Sequence, residues 1–430
     1  MHSKYNPLTL SMQRRTALKT LGGAALALTS PAVLRPGFAQ DGTIKLGAPM
    51  HRTGIGASYG RWYERTATAA VKVVNEMGGI NGRKVEMIVE DDGTDPKRGT
   101  EVVEKFATQY KVDAIFGHLF SNVVAAAAPR AGELKVPYFI CSEASLLGAG
   151  KLNRYTFQPG ITDVRAQVQA MAPWIGSTIG KKVTMIFPDY NFGHDHRDFF
   201  TAAIKAQGGE VVAKIAVPPT ETSFTRYFPQ IPPSTEVIYH VMVGPAVLTF
   251  VKELGDYLGS KRPEIFGFID SLEAVNFNTP QLGFLEGTYF WEAYPRYAQA
   301  NQTEFDKFFR EKVGVDANGA SVADPKDIST YSHMFSCWET LFVIKQAMEM
   351  ANYKGPEQKK DLVVAMESMT SFAEGKEHPQ GAKQFNGKTH QVFGSQNISK
   401  VEGGKLKVVH RTKIEDGLYE SATDYTKMDL

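Results

Sequence analysis

Cysteine is almost missing from this chain: 430 residues contain two, Cys141 and Cys337. A disulfide framework is therefore excluded as the main source of stability, which must come from a buried core. Long apolar runs are missing too. The mild run Leu21–Leu34 is too short to span a bilayer and is interrupted by Pro31. Neither sign of charge dominates, with 48 lysines and arginines against 46 acids. Such a balance offers no footprint for nucleic acid or an anionic membrane surface. No low-complexity tract or disordered charge block interrupts the chain, and its composition is that of a soluble globular protein.

Several enzyme signatures are absent. There is no Gly-x-Ser-x-Gly elbow, no Walker loop, and no dinucleotide glycine fingerprint after a strand. His194-Asp195-His196 has the look of a metal pair, but beside Gly193 at a helix start it reads as a solvated first turn. Asp91, Asp92 and Asp95 are hard-cation ligands in type. Asp95 before Pro96 is already accounted for as a helix N-cap, with the proline at the first helical position. No metal or other cofactor is expected. Asn301-Gln302-Thr303 and Asn397-Ile398-Ser399 match the glycosylation sequon by chance if the chain is prokaryotic.

The N-terminus points to a prokaryote. Arg14-Arg15, Leu18-Lys19, the run Leu21–Leu34 and Ala39-Gln40 follow in the order of a twin-arginine export signal, cleaved near Ala39-Gln40. A retained membrane anchor is the alternative reading. Residues 1–40 hold five cations (Lys4, Arg14, Arg15, Lys19, Arg35) and no acid, so the remainder carries a net charge of −3. About 390 residues then remain, more than one ordinary core holds, and two domains are expected. In an oxidising compartment Cys141 and Cys337 either pair or stay as two buried thiols; both lie in apolar segments, which favours the thiols.

Strand and helix signals alternate along these residues. Strands are expected at Ile44–Pro49, Val85–Asp91, Ala114–Gly117 and Tyr138–Cys141, with helices at 58–77, Pro96–Tyr110 and Ser121–Leu134. After a break at Gln158-Pro159-Gly160 a second set begins. Its strands are Val183–Phe187, Val211–Val217, Val237–Val241 and Ile265–Ile269, and its helices end at Gln207 and cover Phe224–Gln230 and Ala246–Leu258. Alternation of this kind means parallel sheets with helices on both faces. Beyond Trp291, helices are expected at Thr303–Val313, Ser329–Ala351 and Glu357–Met369, followed by a hairpin around Gly403-Gly404.

The segment Gly78-Gly79-Ile80-Asn81-Gly82-Arg83-Lys84-Val85, continuing through Glu90-Asp91-Asp92-Gly93-Thr94-Asp95-Pro96, reads locally as helix end, tight turn, strand and helix start. As a whole string it resembles the periplasmic leucine/isoleucine/valine-binding proteins that serve ABC importers. Gly117-His118-Leu119-Phe120-Ser121 resembles the same family's Gly-His-Leu-x-Ser loop. The resemblance implies an α/β fold of two Rossmann-like lobes joined by a three-crossing hinge, with crossings near Pro159-Gly160, Ala293-Tyr294 and Gly381-Lys383. The first lobe is then 41–159 plus 294–381, and the second 160–293 plus 382–430. The family's disulfide needs cysteines near Thr94 and Phe120, and this chain has neither.

In open parallel sheets the crevice lies beyond the carboxyl ends of the strands. The loops that reach it carry Tyr59, Ser121, and Ser142-Glu143-Ala144-Ser145. Hydroxyls and free amides there suit a carboxylate, and in the family these two loops hold the α-carboxylate of an amino acid. By resemblance Phe192 and Val243 face the ligand from the second lobe, and Asp270 pairs with its ammonium. Plain structural roles stay open for each: a helix cap for Ser121 and for Asp270, rim aromatics for Tyr59 and Phe192. Glu143 stands where the family has small neutral residues; facing the cleft, it repels a carboxylate or selects a solute with an extra donor. The resemblance implies a non-enzymatic, monomeric binding protein that hands a small amino acid or related solute to a membrane permease by hinge closure. Receptors for amides, urea or aromatic acids belong to the same family, a sensing role uses the same site, and an exported hydrolase on a similar fold needs a nucleophile–base pair that is not found.

Overall fold

The computed structural model describes residues 42–260, 262–268, 280–293, 303–317, 319–328, 331–421 and 423–430. Its first sheet contains β1 (Ile44–Met50), β2 (Val85–Asp91), β3 (Ala114–Gly117), β4 (Tyr138–Ile140) and β5 (Thr156–Phe157), all parallel, in the order β2-β1-β3-β4-β5. Helices α1 (Ala57–Glu76), α2 (Pro96–Lys105) and α3 (Ser121–Glu133) connect these strands. Asp95 caps α2 as expected, accepting from the Arg98 amide at 2.8 Å with Pro96 at the first helical position. The expected run to Tyr110 does not stay α-helical. A π-helical turn covers Phe106–Tyr110 and stops at Lys111, whose φ is +52°.

A second sheet repeats the plan. After α4 (Val164–Thr178) come β6 (Lys182–Pro188), α5 (Asn191–Ala206), β7 (Glu210–Val217), β8 (Val237–His240), α6 (Val247–Leu258), β9 (Glu264–Phe268) and β10 (Tyr289–Glu292). The parallel strands run β10-β9-β8-β6-β7, the same order as the first sheet. Only a 3₁₀ turn, Phe228–Gln230, forms where a helix over Phe224–Gln230 is expected. Pro229, Pro232 and Pro233 deny a longer helix its amide donors, and Phe224 and Phe228 instead pack on Phe250.

The chain then builds α7 (Glu304–Val313), α8 (Tyr331–Met350) and α9 (Lys359–Glu367), followed by a small antiparallel sheet of β11 (Ser371–Phe372), β12 (Lys383–Asn386) and β13 (Gln391–Phe393). These helices belong to the first lobe's core: Phe309, Trp338, Leu341 and Leu362 share one apolar cluster with Ile44, Trp62 and Phe116. Finally β14 (Asn397–Glu402) joins β10 antiparallel, and β15 (Lys405–Arg411) completes the second sheet. The β14–β15 turn is Gly403-Gly404, with φ of +61° and +71°, the left-handed pair a two-residue hairpin needs. Two Rossmann-like lobes result, with apolar clusters in the first and separate ones in the second. Cys141 and Cys337 are buried free thiols with sulfurs 3.7 Å apart.

Candidate functional site

In each sheet the strand order reverses beside the first strand of its set: between β1 and β3, and between β6 and β8. Ligand crevices form at such switch points. The loops leaving these strands meet around a small cavity of about 20 Å³, room for little more than a water or two, so a solute has to part the two walls to enter. Six of the residues expected from sequence line it: Tyr59, Ser121, Ser142 and Glu143 from the first lobe, Phe192 and Val243 from the second. The structure adds Leu119, Phe120, Tyr190, Phe268 and His333. Asp270 lies outside the described residues.

Ala144 and Ser145 do not line the cavity. Ala144 is buried beneath it, donating its amide to Ser142 Oγ at 3.2 Å. Ser145 turns to the second lobe: its amide donates to Asp195 Oδ2 at 3.1 Å, and its Oγ accepts from the Arg165 amide at 3.2 Å. The stretch 194–196 lies near the start of α5 as expected, with His194 partly exposed beside Asp189, but its other two members turn inward. Asp195 ties the two lobes together, and His196 is fully buried with its Nδ1 2.9 Å from the Tyr239 hydroxyl. Among the described residues no cluster of three or more His, Cys, Asp or Glu has metal-site geometry.

Ser121 does not cap α3. That position falls to Phe120, which provides no side-chain bond, and Ser121 begins the helix proper. Its hydroxyl is buried at the cavity and has no hydrogen-bond partner among the described residues. Gly117 allows the loop to reach this place: its φ is +142°, and a Cβ there would meet the Pro49 carbonyl at 2.5 Å.

Behind the loop lies a network that the sequence did not announce. Asp92 is buried between His51 Nδ1, 2.7 Å away, and His118 Nε2, 3.2 Å away. The Leu119 amide donates to His51 Nε2 at 2.9 Å, which leaves the ring's proton on Nδ1, facing Asp92. His118 Nδ1 lies 2.5 Å from the Tyr138 hydroxyl. Burial alone raises the Asp92 carboxyl, but the hydrogen bonds from His118 and His51 hold it far below the usual carboxylate range. Burial pushes the His118 ring down against the opposing pull of Asp92. Asp92 therefore anchors the ligand loop and is not available to a cation. Asp91 is likewise used, accepting from Thr53, Gly93 and Arg98.

The cavity walls are unlike. Tyr190, Phe192, Phe268 and Val243 make the second lobe's side aromatic and apolar, with Phe268 stacked on Trp291 at 4.4 Å. Glu143 brings a carboxylate to the first lobe's side. Its Oε1 accepts from Gln167 Nε2 at 2.7 Å, and its Oε2 is 3.2 Å from His333 Nε2. Burial, and then the charge of Glu143, push the Tyr190 hydroxyl well above its ordinary value.

A two-lobed α/β fold with a small polar-and-aromatic cavity at both switch points has the geometry of a crevice for a small molecule. A family profile described as periplasmic binding protein matches residues 43–405, and the chain belongs to that family. It is 41% identical over 106 residues to Leu/Ile/Val-binding protein homolog 1 of Brucella abortus, 24% of this chain and 27% of that protein. Over 101 residues it is 36% identical to an amino acid binding protein of Pseudomonas aeruginosa, 24% of this chain and 26% of the other. The chain thus matches about a quarter of the length of these curated relatives. In fold it is similar to an ABC transporter solute-binding protein of R. palustris solved with benzoate (TM-score 0.72, 19% identity, 86% of this chain and 97% of the other). It is also similar to the leucine-binding protein LivK of Thermotoga maritima (TM-score 0.69, 18% identity, 87% and 100%).

Proposed function

We propose that this protein is an extracytoplasmic, non-enzymatic substrate-binding protein that captures a small solute between its lobes and delivers it to an ABC permease. The observation that carries this reading is the cavity walled by loops from both lobes, into which the unpaired Ser121 hydroxyl is built. A solute touching both walls favours the closed arrangement by its differential affinity for that state. The contacts proposed for it are Tyr59, Ser121, Ser142, Glu143, Phe192 and Val243, with Tyr190, Phe268 and His333 added, and Asp270 retained from the resemblance. Ala144 and Ser145 act as support for the loop. Periplasmic location by twin-arginine export with cleavage near Ala39-Gln40, a monomer, and a first lobe that includes 41–159 plus 294–381 belong to the same reading; the expected second-lobe stretch 382–430 is corrected at both ends, because Phe385 and Val392 share the first lobe's apolar cluster with Ile44, and Tyr425 packs with Val103 and Leu147.

Branched-chain or related amino acids and aromatic acids are the solute classes to try first, the former named for the relatives by sequence and the latter for the neighbours by fold. A thermal-shift panel of amino acids, amides and aromatic acids tests the reading. A solute at 1,000 times its Kd stabilises the native state by about 4 kcal/mol and raises Tm by several degrees. Ser121→Ala is expected to reduce that shift while leaving the solute-free Tm within about a degree, since the hydroxyl has no protein partner to lose. An unchanged shift removes Ser121 from the site.

A further inference from the structure

The first lobe's side of the cavity holds one carboxylate acceptor, Glu143, beside the hydroxyls of Ser121 and Ser142. Glu143 is 3% exposed, yet it lines the cavity. No lysine or arginine is among the described residues that line it. Gln167 from α4 and His333 from α8 fix the carboxylate from two directions, at 2.7 and 3.2 Å. A carboxylate offers about four lone-pair sites, so two partners leave acceptor capacity facing the space between the lobes. A second carboxylate brought beside it is repelled, with no fixed cation to offset the pair. A hydroxyl or ammonium hydrogen brought to the same place gains a charge-assisted bond.

From this arrangement we infer that Glu143 is a specificity-determining residue, oriented by His333 and Gln167, which reads a hydrogen-bond donor on the end of the solute that faces the first lobe. A carboxylate on that solute is turned away from Glu143. The inference deepens the proposed function and rests on it. It also gives a physical reason for a glutamate in a loop whose neighbours, Ser142, Ala144 and Ser145, are small and neutral.

Matched pairs differing by one donor test it: 4-hydroxybenzoate against benzoate, and leucine against 4-methylpentanoate, each titrated into the purified protein by calorimetry. The donor-bearing member of at least one pair is expected to bind tenfold or more tighter than its partner, because a site that hydrogen-bonds a group rejects the analogue lacking it. Glu143→Gln is expected to reduce that preference to threefold or less. If Glu143→Gln lowers the solute-free Tm by more than a few degrees, His333→Gln replaces it, with a preference between those of wild type and Glu143→Gln as the expected result. Binding with equal affinity within both pairs, or a preference unchanged in the variants, overturns the inference and leaves the binding function standing. Binding of no member by the wild-type protein overturns both.

Discussion

Acidification from pH 7 to pH 5 is expected to cost this protein about 4 kcal/mol of stability, a large share of the 5–15 kcal/mol that holds a folded domain. Burial pushes His196 and His240 down to about 3 and His378 down to about 4. Each of these rings is neutral in the native state, while in the unfolded chain each takes a proton below pH 6.5. The stability they contribute is therefore fully present above pH 6.5 and is lost as pH falls toward their folded values. Asp163 works in the opposite sense. Burial raises it to about 6, so below that pH the native state also binds a proton. With His118 lowered and Asp195 raised by burial, two shifts that act in opposite directions, about three unfolded-state protons are in excess between pH 6.5 and 6 and about two from pH 6 to 4, each worth about 1.4 kcal/mol per pH unit. Thermal melts at pH 8, 7, 6 and 5 measure this directly: Tm is expected to be level above pH 7 and to fall steeply below 6.5. Neither ring nitrogen of His240 has a protein partner among the described residues, so His240→Leu removes one of the three histidine contributions and reduces the net loss between pH 7 and 5 by nearly half. A Tm that is level from pH 8 to 5 contradicts the assignment of these rings as neutral.

The second large effect concerns the contact that ties the small sheet of β11, β12 and β13 to α8 within the first lobe's core. Lys383 opens β12, is 5% exposed, and its Nζ contacts Glu339 Oε2 of α8, itself fully buried. The other oxygen of Glu339 accepts from the Gln380 amide at 2.9 Å, which fixes the segment before Lys383. Lys383→Met leaves a buried carboxylate without its cation and is expected to destabilise the protein by about 3–5 kcal/mol. Glu339→Met alone is expected to cost less, because burial already pushes Lys383 well below the usual lysine range and the unpaired side chain loses its proton rather than keeping a buried charge. The double variant is expected to recover most of the loss, because two well-packed apolar side chains replace a buried ion pair at little net cost. Denaturant melts of the three variants decide the matter. Additive losses in the double variant would show that packing, and not the charge pair, makes these positions sensitive.

The fold was legible where local chemistry and burial agree. Val85–Asp91 and Ala114–Gly117 form over the residues their apolar patterns mark, and Asp95-Pro96 starts a helix because cap and proline act within one turn. Helix α4 was missed, although Asp163 caps it by accepting from the Ala166 amide, because Pro173 and the glutamines at 167 and 169 blur its apolar face. Within the site, residues on loops that follow strands could be nominated from the sequence, since those loops must reach the crevice. His333 could not: it sits in α8 among Met334, Phe335 and Trp338, and only the fold brings it across 190 positions to Glu143. Tyr190 had a signal in its place directly before Asn191-Phe192-Gly193. The partners of Asp92 also needed the fold, because a string of aspartates does not reveal that His51 and His118 enclose one of them.

Equilibrium dialysis of the purified protein against the solute panel, with bound solute recovered and identified by mass, tests the central claim most directly. Saturable binding of one solute per chain is expected, at an affinity near micromolar (roughly −8 kcal/mol), with the solute returned unaltered. Failure of every solute to saturate, or recovery of a chemically changed product, would contradict it.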